Sequence, residues 1–123
     1  MRKFMIGLAL SVMASVTSAQ WVFVAEGASG NKVYADPATK SRNGHVVRIW
    51  ELNDYTKSNG KARSDRSFME IDCAERTRQT LQFAMFARNM ATGELVGSIN
   101  KPVNKQFVPP GTISEAMLNF ACK

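Results

Sequence analysis

The segment 66–73, RSFMEIDC, constrains the fold more than any other stretch of the chain, because its side chains alternate in character. In an extended strand, alternation places successive side chains on opposite faces. One face carries Met69, Ile71 and Cys73, and the other carries Phe68, Glu70 and Asp72. The segment therefore predicts a half-buried strand whose cysteine lies on the buried face.

Further strands are predicted on both sides of this segment. The segment 76–88, RTRQTLQFAMFAR, alternates in the same way. Runs of β-branched and aromatic residues at 21–26, 32–36 and 45–55 are typical of strands, and 94–100 is a weaker example. The mature chain is therefore predicted to be mainly β-structure.

Turn signals separate these predicted strands. Pro37 is expected to end the run 32–36, because proline cannot donate to a strand ladder. Asn43-Gly44 is a strong hairpin signal. The polar segment 56–66, TKSNGKARSDR, is expected to form a mobile hairpin tip.

The last segment changes to a helical period. In 112–122, TISEAMLNFAC, the residues Thr112 and Glu115 form a capping-box pattern that is typical of a helix start. The predicted fold is α+β and mainly β. It is a single antiparallel sheet of about five to six strands, with a C-terminal α-helix packed on one face and the other face solvated.

The first residues indicate export. Residues 1–19 contain a charged start at Arg2 and Lys3, an apolar run at 4–16 and small residues before the expected cleavage site, which together predict a signal peptide. Residues 20–123 are then one domain. No cysteine lies near the expected cleavage site, so a lipid anchor is not expected. No later segment has the length and apolar character expected of a transmembrane segment. The periplasm is the favoured location, with surface display or secretion as alternatives.

Cys73 and Cys122 are the only two cysteines. In an oxidising compartment, an even pair in a small domain indicates a disulfide. Cys122 closes the predicted helix and Cys73 lies on the buried face of the sheet. A bridge between them would tie the helix to the sheet.

Catalytic and metal-binding alternatives are weaker. His45 is the only histidine, and a zinc site needs about four converging ligands. Glu70 and Asp72 are expected to form exposed ion pairs with Arg76 and Arg78 rather than a catalytic pair of carboxylates. The sequence therefore predicts no enzyme activity, no metal and no cofactor.

The segment 76–88 also suggests a contact surface. Its polar side carries Arg76, Arg78 and Arg88, together with one apolar residue, Phe86. This combination would suit an acidic or amphipathic partner, and an ordinary solvated sheet face is the alternative. Nucleic acid is not an expected partner, because no basic cluster alternates with aromatic residues in a known motif.

Several short motifs occur in an order that is similar to one family. They are YADP (34–37), VRIWELNDY (47–55), EIDC (70–73), VPPGT (108–112) and AC (121–122). Their order and the cysteine placement resemble the surface-adhesin protein E-like domain family of Gram-negative bacteria. The resemblance implies one antiparallel β-domain with its terminal helix tied by the disulfide, a location in the cell envelope, and dimers in some members.

The resemblance also bears on function. The named adhesins of the family bind host extracellular-matrix and plasma proteins, which implies an exported, non-enzymatic binding domain here. Its partners would be such host proteins or other envelope components. The alternative is a periplasmic structural or envelope-maintenance protein without an adhesin role. A homodimer remains open.

Overall fold

A computed structural model describes Gly7 and residues 19–123. The predicted signal peptide, residues 1–19, lies outside the described residues apart from Gly7 and Ala19. The described chain forms seven strands and one helix. They are β1 (Val22–Glu26), β2 (Lys32–Asn43), β3 (Val46–Asn59), β4 (Ala62–Asp72), β5 (Thr77–Arg88), β6 (Thr92–Ile99), β7 (Gln106–Phe107) and α1 (Ile113–Ala121).

The strands form one antiparallel sheet that follows the order of the chain. β1 to β6 are neighbours in sequence order, so each connection joins adjacent strands. The two-residue strand β7 pairs with the start of β5, at Thr77 and Arg78. The predicted fold class is confirmed, with β7 added to the six longer strands.

The helix covers one face of this sheet. Thr112 caps α1, since its hydroxyl accepts a hydrogen bond from the backbone N–H of Glu115 at 3.2 Å. The core between helix and sheet contains Val33, Ala35, Val47, Ile49, Met69, Ile71, Val108, Met117, Leu118 and Ala121. We call this side of the sheet the helix face, and the opposite side the open face.

The disulfide between Cys73 and Cys122 is present, as the sequence predicts. The two Cα atoms are 5.8 Å apart, and both residues pack against the core. Cys73 follows β4 directly, and Cys122 follows α1. The bridge therefore joins the end of the helix to the end of an inner strand of the sheet.

β2 continues past Pro37, so the expectation that proline ends this strand is wrong. The pairing with β3 shifts between Asp36 and Ser41, which makes a bulge around Pro37. Within the bulge, the hydroxyl of Thr39 accepts a hydrogen bond from the backbone N–H of Trp50 at 3.1 Å. A side chain thus satisfies a β3 donor inside the bulge, and the strand resumes beyond it.

The predicted long tip at 56–66 is also wrong. β3 extends to Asn59 and β4 begins at Ala62, so only two residues turn between them. Gly60 adopts a φ of 63°, which a glycine reaches without steric cost. The polar residues of this segment therefore extend the sheet, and its later positions supply buried strand residues.

Candidate binding surface on the open face

A bulge in β5 divides the residues that the sequence grouped as one contact surface. Phe68 pairs with Gln82 and Met69 pairs with Thr80, so Leu81 has no partner in β4. An unpaired residue reverses the alternation beyond it. The expectation that Arg76 and Arg78 share a face with Phe86 is therefore wrong.

Arg76 and Arg78 lie on the helix side. Arg76 contacts Glu115 of α1 at 2.8 Å. Arg78 contacts the buried Glu51 at 2.9 Å and donates to the hydroxyl of Ser114 at 3.1 Å. Both arginines therefore join the sheet to its own neighbours, and their cationic groups have acidic partners within the chain.

Glu70 and Asp72 do not pair with these arginines, contrary to the prediction. Glu70 contacts Arg48 of β3 at 2.9 Å. Asp72 accepts hydrogen bonds from the backbone N–H groups of Glu75 and Ala74, at 2.9 and 3.0 Å. The hydrogen bond from Glu75 is the main cause that lowers the pKa of Asp72. The two acids therefore stabilise a strand pair and a turn.

Phe86 lies on the open face, where it belongs to a cluster of aromatic rings and one arginine. The rings of Trp50 and Phe68 stack with their centroids 5.1 Å apart. The guanidinium carbon of Arg66 lies 5.4 Å from the centroid of the Trp50 ring and 5.6 Å from that of Phe86. Arg88 lies at the end of β5, with its exposed side chain against Gly93. We call Trp50, Arg66, Phe68 and Phe86 the aromatic–arginine cluster.

A hollow opens beside this cluster. Its volume is about 350 Å³ and it crosses β4, β5 and β6. Arg66, Ala84 and Ser98 form one row across these strands, and the short side chains of Ala84 and Ser98 leave space between longer neighbours. The lining also includes Trp50, Gln82 and Asn100. An indole ring, a cation and three neutral polar residues, together with the apolar residues Phe83 and Ile99, therefore line one hollow.

The chemistry-bearing residues considered in the sequence lie elsewhere. Both cysteines are in the disulfide. His45 is exposed at the β2–β3 turn, with its Nε2 3.7 Å from Oδ2 of Asp72. Among the described residues, no three His, Cys, Asp or Glu side chains converge as a metal site would require. The described residues also form no helix with the length and apolar character of a membrane span.

Asp65 is a buried carboxylate on the helix face. Asn53 donates to its Oδ1 at 2.9 Å, and the Tyr55 hydroxyl donates to its Oδ2. Burial is the main cause that raises the pKa of Asp65 to about 6, and the nearby charge of Glu51 raises it further. The hydrogen bonds from Asn53 and Ser67 act in the opposite direction and lower it. The folded chain therefore holds this proton more tightly than the unfolded chain does.

This proton makes stability depend on pH. As pH rises, the unfolded chain loses the Asp65 proton first, near 3.8, and the folded chain near 6. We expect the free energy of unfolding to fall by roughly 2–3 kcal/mol between about pH 4 and pH 7. The lowered pKa of Asp72 has the opposite effect, but only below the ordinary aspartate pKa of 3.8.

Urea unfolding at a series of pH values measures this change, with Asp65→Asn as the matched variant. The variant has no proton to lose, so its stability should stay nearly constant over the same range. A fall in the variant as steep as in the unchanged protein would contradict the assignment to Asp65.

Comparison with known proteins identifies the family of this chain. Residues 21–123 match the family model described as surface-adhesin protein E. The chain therefore belongs to the surface-adhesin protein E family. No curated protein sequence gives a significant match.

Solved structures with a similar fold include several of Haemophilus influenzae protein E. Crystal form II shares 13% identity over 86% of this chain and 89% of that chain, with a TM-score of 0.64. A second structure of that protein shares 14% identity over 86% of each chain, with a TM-score of 0.62. Protein E from a non-typeable strain shares 15% identity over 89% of this chain and 78% of that chain, with a TM-score of 0.57. At this level of identity, the similarity concerns the fold.

Proposed function

We propose that the mature chain is an exported, non-enzymatic binding domain that contacts a protein partner through its open face. The observation that carries this proposal is the aromatic–arginine cluster. Trp, Phe and Arg side chains are enriched at protein interfaces and dominate their energetics. Membership of a family of surface adhesins supports a binding role over a purely structural one.

The proposed contact surface keeps two residues of the sequence prediction and adds others. Phe86 and Arg88 stay in it, and Trp50, Phe68 and Arg66 join them. Arg76 and Arg78 are left out of the proposed contact surface, because each forms an ion pair with a carboxylate of the same chain. Arg66 takes part in none of the four ion pairs among the described residues, so its charge can serve an acidic partner.

The compartment determines the class of partner. A chain displayed at the surface would meet host matrix or plasma proteins, and a chain in the periplasm would meet envelope components. Digestion of intact cells by an added protease distinguishes these locations. Degradation before permeabilisation of the outer membrane indicates the host partners, and protection until permeabilisation indicates the envelope components.

The binding role is tested with the mature protein and a panel of matrix, plasma and envelope proteins. We expect Phe86→Ala to weaken binding of the cognate partner roughly tenfold or more, because aromatic residues at interface centres contribute on the order of 1–2 kcal/mol or more. Phe107→Ala is the matched control, since Phe107 is exposed and pairs with Thr77 at the opposite end of β5.

Thermal unfolding of both variants establishes that they are folded. Equal weakening by the two substitutions would argue against the open-face cluster as the contact surface. Binding of every panel member no stronger than that of an unrelated protein of equal charge would overturn the binding role itself.

A further inference from the structure

We propose that the hollow beside Trp50 and Arg66 binds an anionic saccharide, with a carboxylate or sulfate on Arg66 and a sugar ring beside Trp50. This inference rests on the proposed function, because it assigns a ligand to the same open face. It goes further by naming a small, chemically defined unit that the hollow can accommodate. Such a unit would be part of a glycan carried by the partner or by the cell envelope.

Arg66 is prepared for an anion. Its guanidinium lies between two aromatic rings, with distances of 5.4 and 5.6 Å to their centroids. Contacts with aromatic faces restrict a guanidinium while leaving it charged. Arg48, Arg76 and Arg78 each contact a carboxylate at 2.8 or 2.9 Å. Arg66, by contrast, takes part in no ion pair among the described residues. An external carboxylate or sulfate can therefore accept hydrogen bonds from the N–H groups of Arg66.

The rest of the hollow suits sugar hydroxyl groups. Gln82, Ser98 and Asn100 line it, and these side chains both donate and accept hydrogen bonds without carrying charge. The half-buried Trp50 ring lines the hollow, and the part that Phe68 and Arg66 leave uncovered is an apolar surface for the C–H groups of a sugar ring. A volume of about 350 Å³ is at the lower end of the roughly 300–1,000 Å³ typical of small-ligand sites.

The location of the hollow favours a saccharide over an acidic peptide. Extended peptides are commonly held by the free edge of a sheet, where backbone hydrogen bonds are available. The free edges are the outer sides of β1 and β6, whereas most of the lining lies on strands between them, with Trp50 on β3, Arg66 on β4 and Ala84 on β5. Backbone groups of these inner strands are paired within the sheet, so a ligand over them is recognised mainly by side chains. Hydroxyl groups and one anion match the side chains that are present.

The test uses the mature protein, a hyaluronan tetrasaccharide as the carboxylate-bearing probe, and a chitin tetrasaccharide as its neutral counterpart. Chemical shifts of the backbone amides and of the Trp50 indole are followed during titration. We expect changes centred on Trp50, Arg66, Ala84 and Ser98 with the hyaluronan probe, and binding roughly tenfold weaker or more with the neutral probe.

Two variants test the two halves of the site. Arg66→Gln should weaken binding of the hyaluronan probe roughly tenfold or more, because a charge-assisted contact is lost. Ala84→Leu should weaken binding to a similar extent, because the larger side chain fills part of the hollow while Arg66 stays in place. Arg63→Gln is the matched control. Arg63 is exposed, and strand alternation places it on the same face as Asp65, opposite Arg66. This control removes the same charge and should leave the affinity unchanged.

The outcomes separate this inference from the proposed function. Equal loss of affinity in Arg66→Gln and Arg63→Gln, or tighter binding of a polyglutamate peptide than of the hyaluronan probe, would overturn the saccharide assignment. If Phe86→Ala still impairs binding of a protein partner in that case, the proposed function stands without it. Saccharide binding that is lost in Arg66→Gln and Ala84→Leu, with no protein partner found, would support the saccharide site and count against the protein contact.

Discussion

Replacing Cys73 and Cys122 together by serine should lower the free energy of unfolding by about 4 kcal/mol. The bridge joins residues separated by 49 positions, so it closes a long loop in the unfolded chain. In the chain-entropy model, a loop of this length corresponds to about 4 kcal/mol. Urea unfolding of the oxidised protein and of the double variant measures the difference.

The loss of stability should be greatest at the C-terminal helix. α1 has nine residues, and a helix of this length is marginal without its tertiary contacts. Hydrogen exchange should therefore speed up more at the helix amides than at those of β3 and β4, which pair along most of their length. The double variant avoids the new intermolecular bridges that one remaining thiol could form. Equal stability of the two proteins would contradict the proposed role of the bridge.

Alternation predicted the faces of β4 correctly because that strand is regular over 66–72. Met69 and Ile71 are buried in the core, as expected, and Cys73 reaches Cys122. These positions depend only on the two-residue period of a strand. A bulge depends on the neighbouring strand, and Leu81 carries no local signal for one. The alternation at 76–88 therefore misassigned the early part of β5, including Arg78.

The candidate site could be predicted only in part for a related reason. The sequence placed Phe86 apart from the apolar side of its strand, and in the structure Phe86 lies on the open face. Alternation also puts Arg66 on the same face as Phe68. Trp50, however, meets Phe68 only through the pairing of β3 with β4, which depends on both the short turn after Asn59 and the irregularity between Asp54 and Asn59. The expected long tip left that register undefined, so the cluster could not be assembled from the sequence.

Arg78→Met should lower the free energy of unfolding by about 3–5 kcal/mol, because it leaves a buried carboxylate without its cation. The side chain of Glu51 is 3% exposed, and among the described residues its Oε2 has no hydrogen-bond partner. Its Oε1 contacts Arg78 at 2.9 Å. Arg78 is therefore the main compensation for the Glu51 charge, and urea unfolding of the variant measures its loss.

Two controls separate the ion pair from the simple loss of an arginine. Arg76→Met removes a partner of Glu115, but that pair is 41% and 27% exposed, so its loss should cost only about 0–1 kcal/mol. Combining Arg78→Met with Glu51→Met removes both charges and should recover most of the stability lost in the single variant. If the double variant were as unstable as Arg78→Met alone, packing by the Arg78 side chain, rather than its charge, would be what stabilises this part of the sheet.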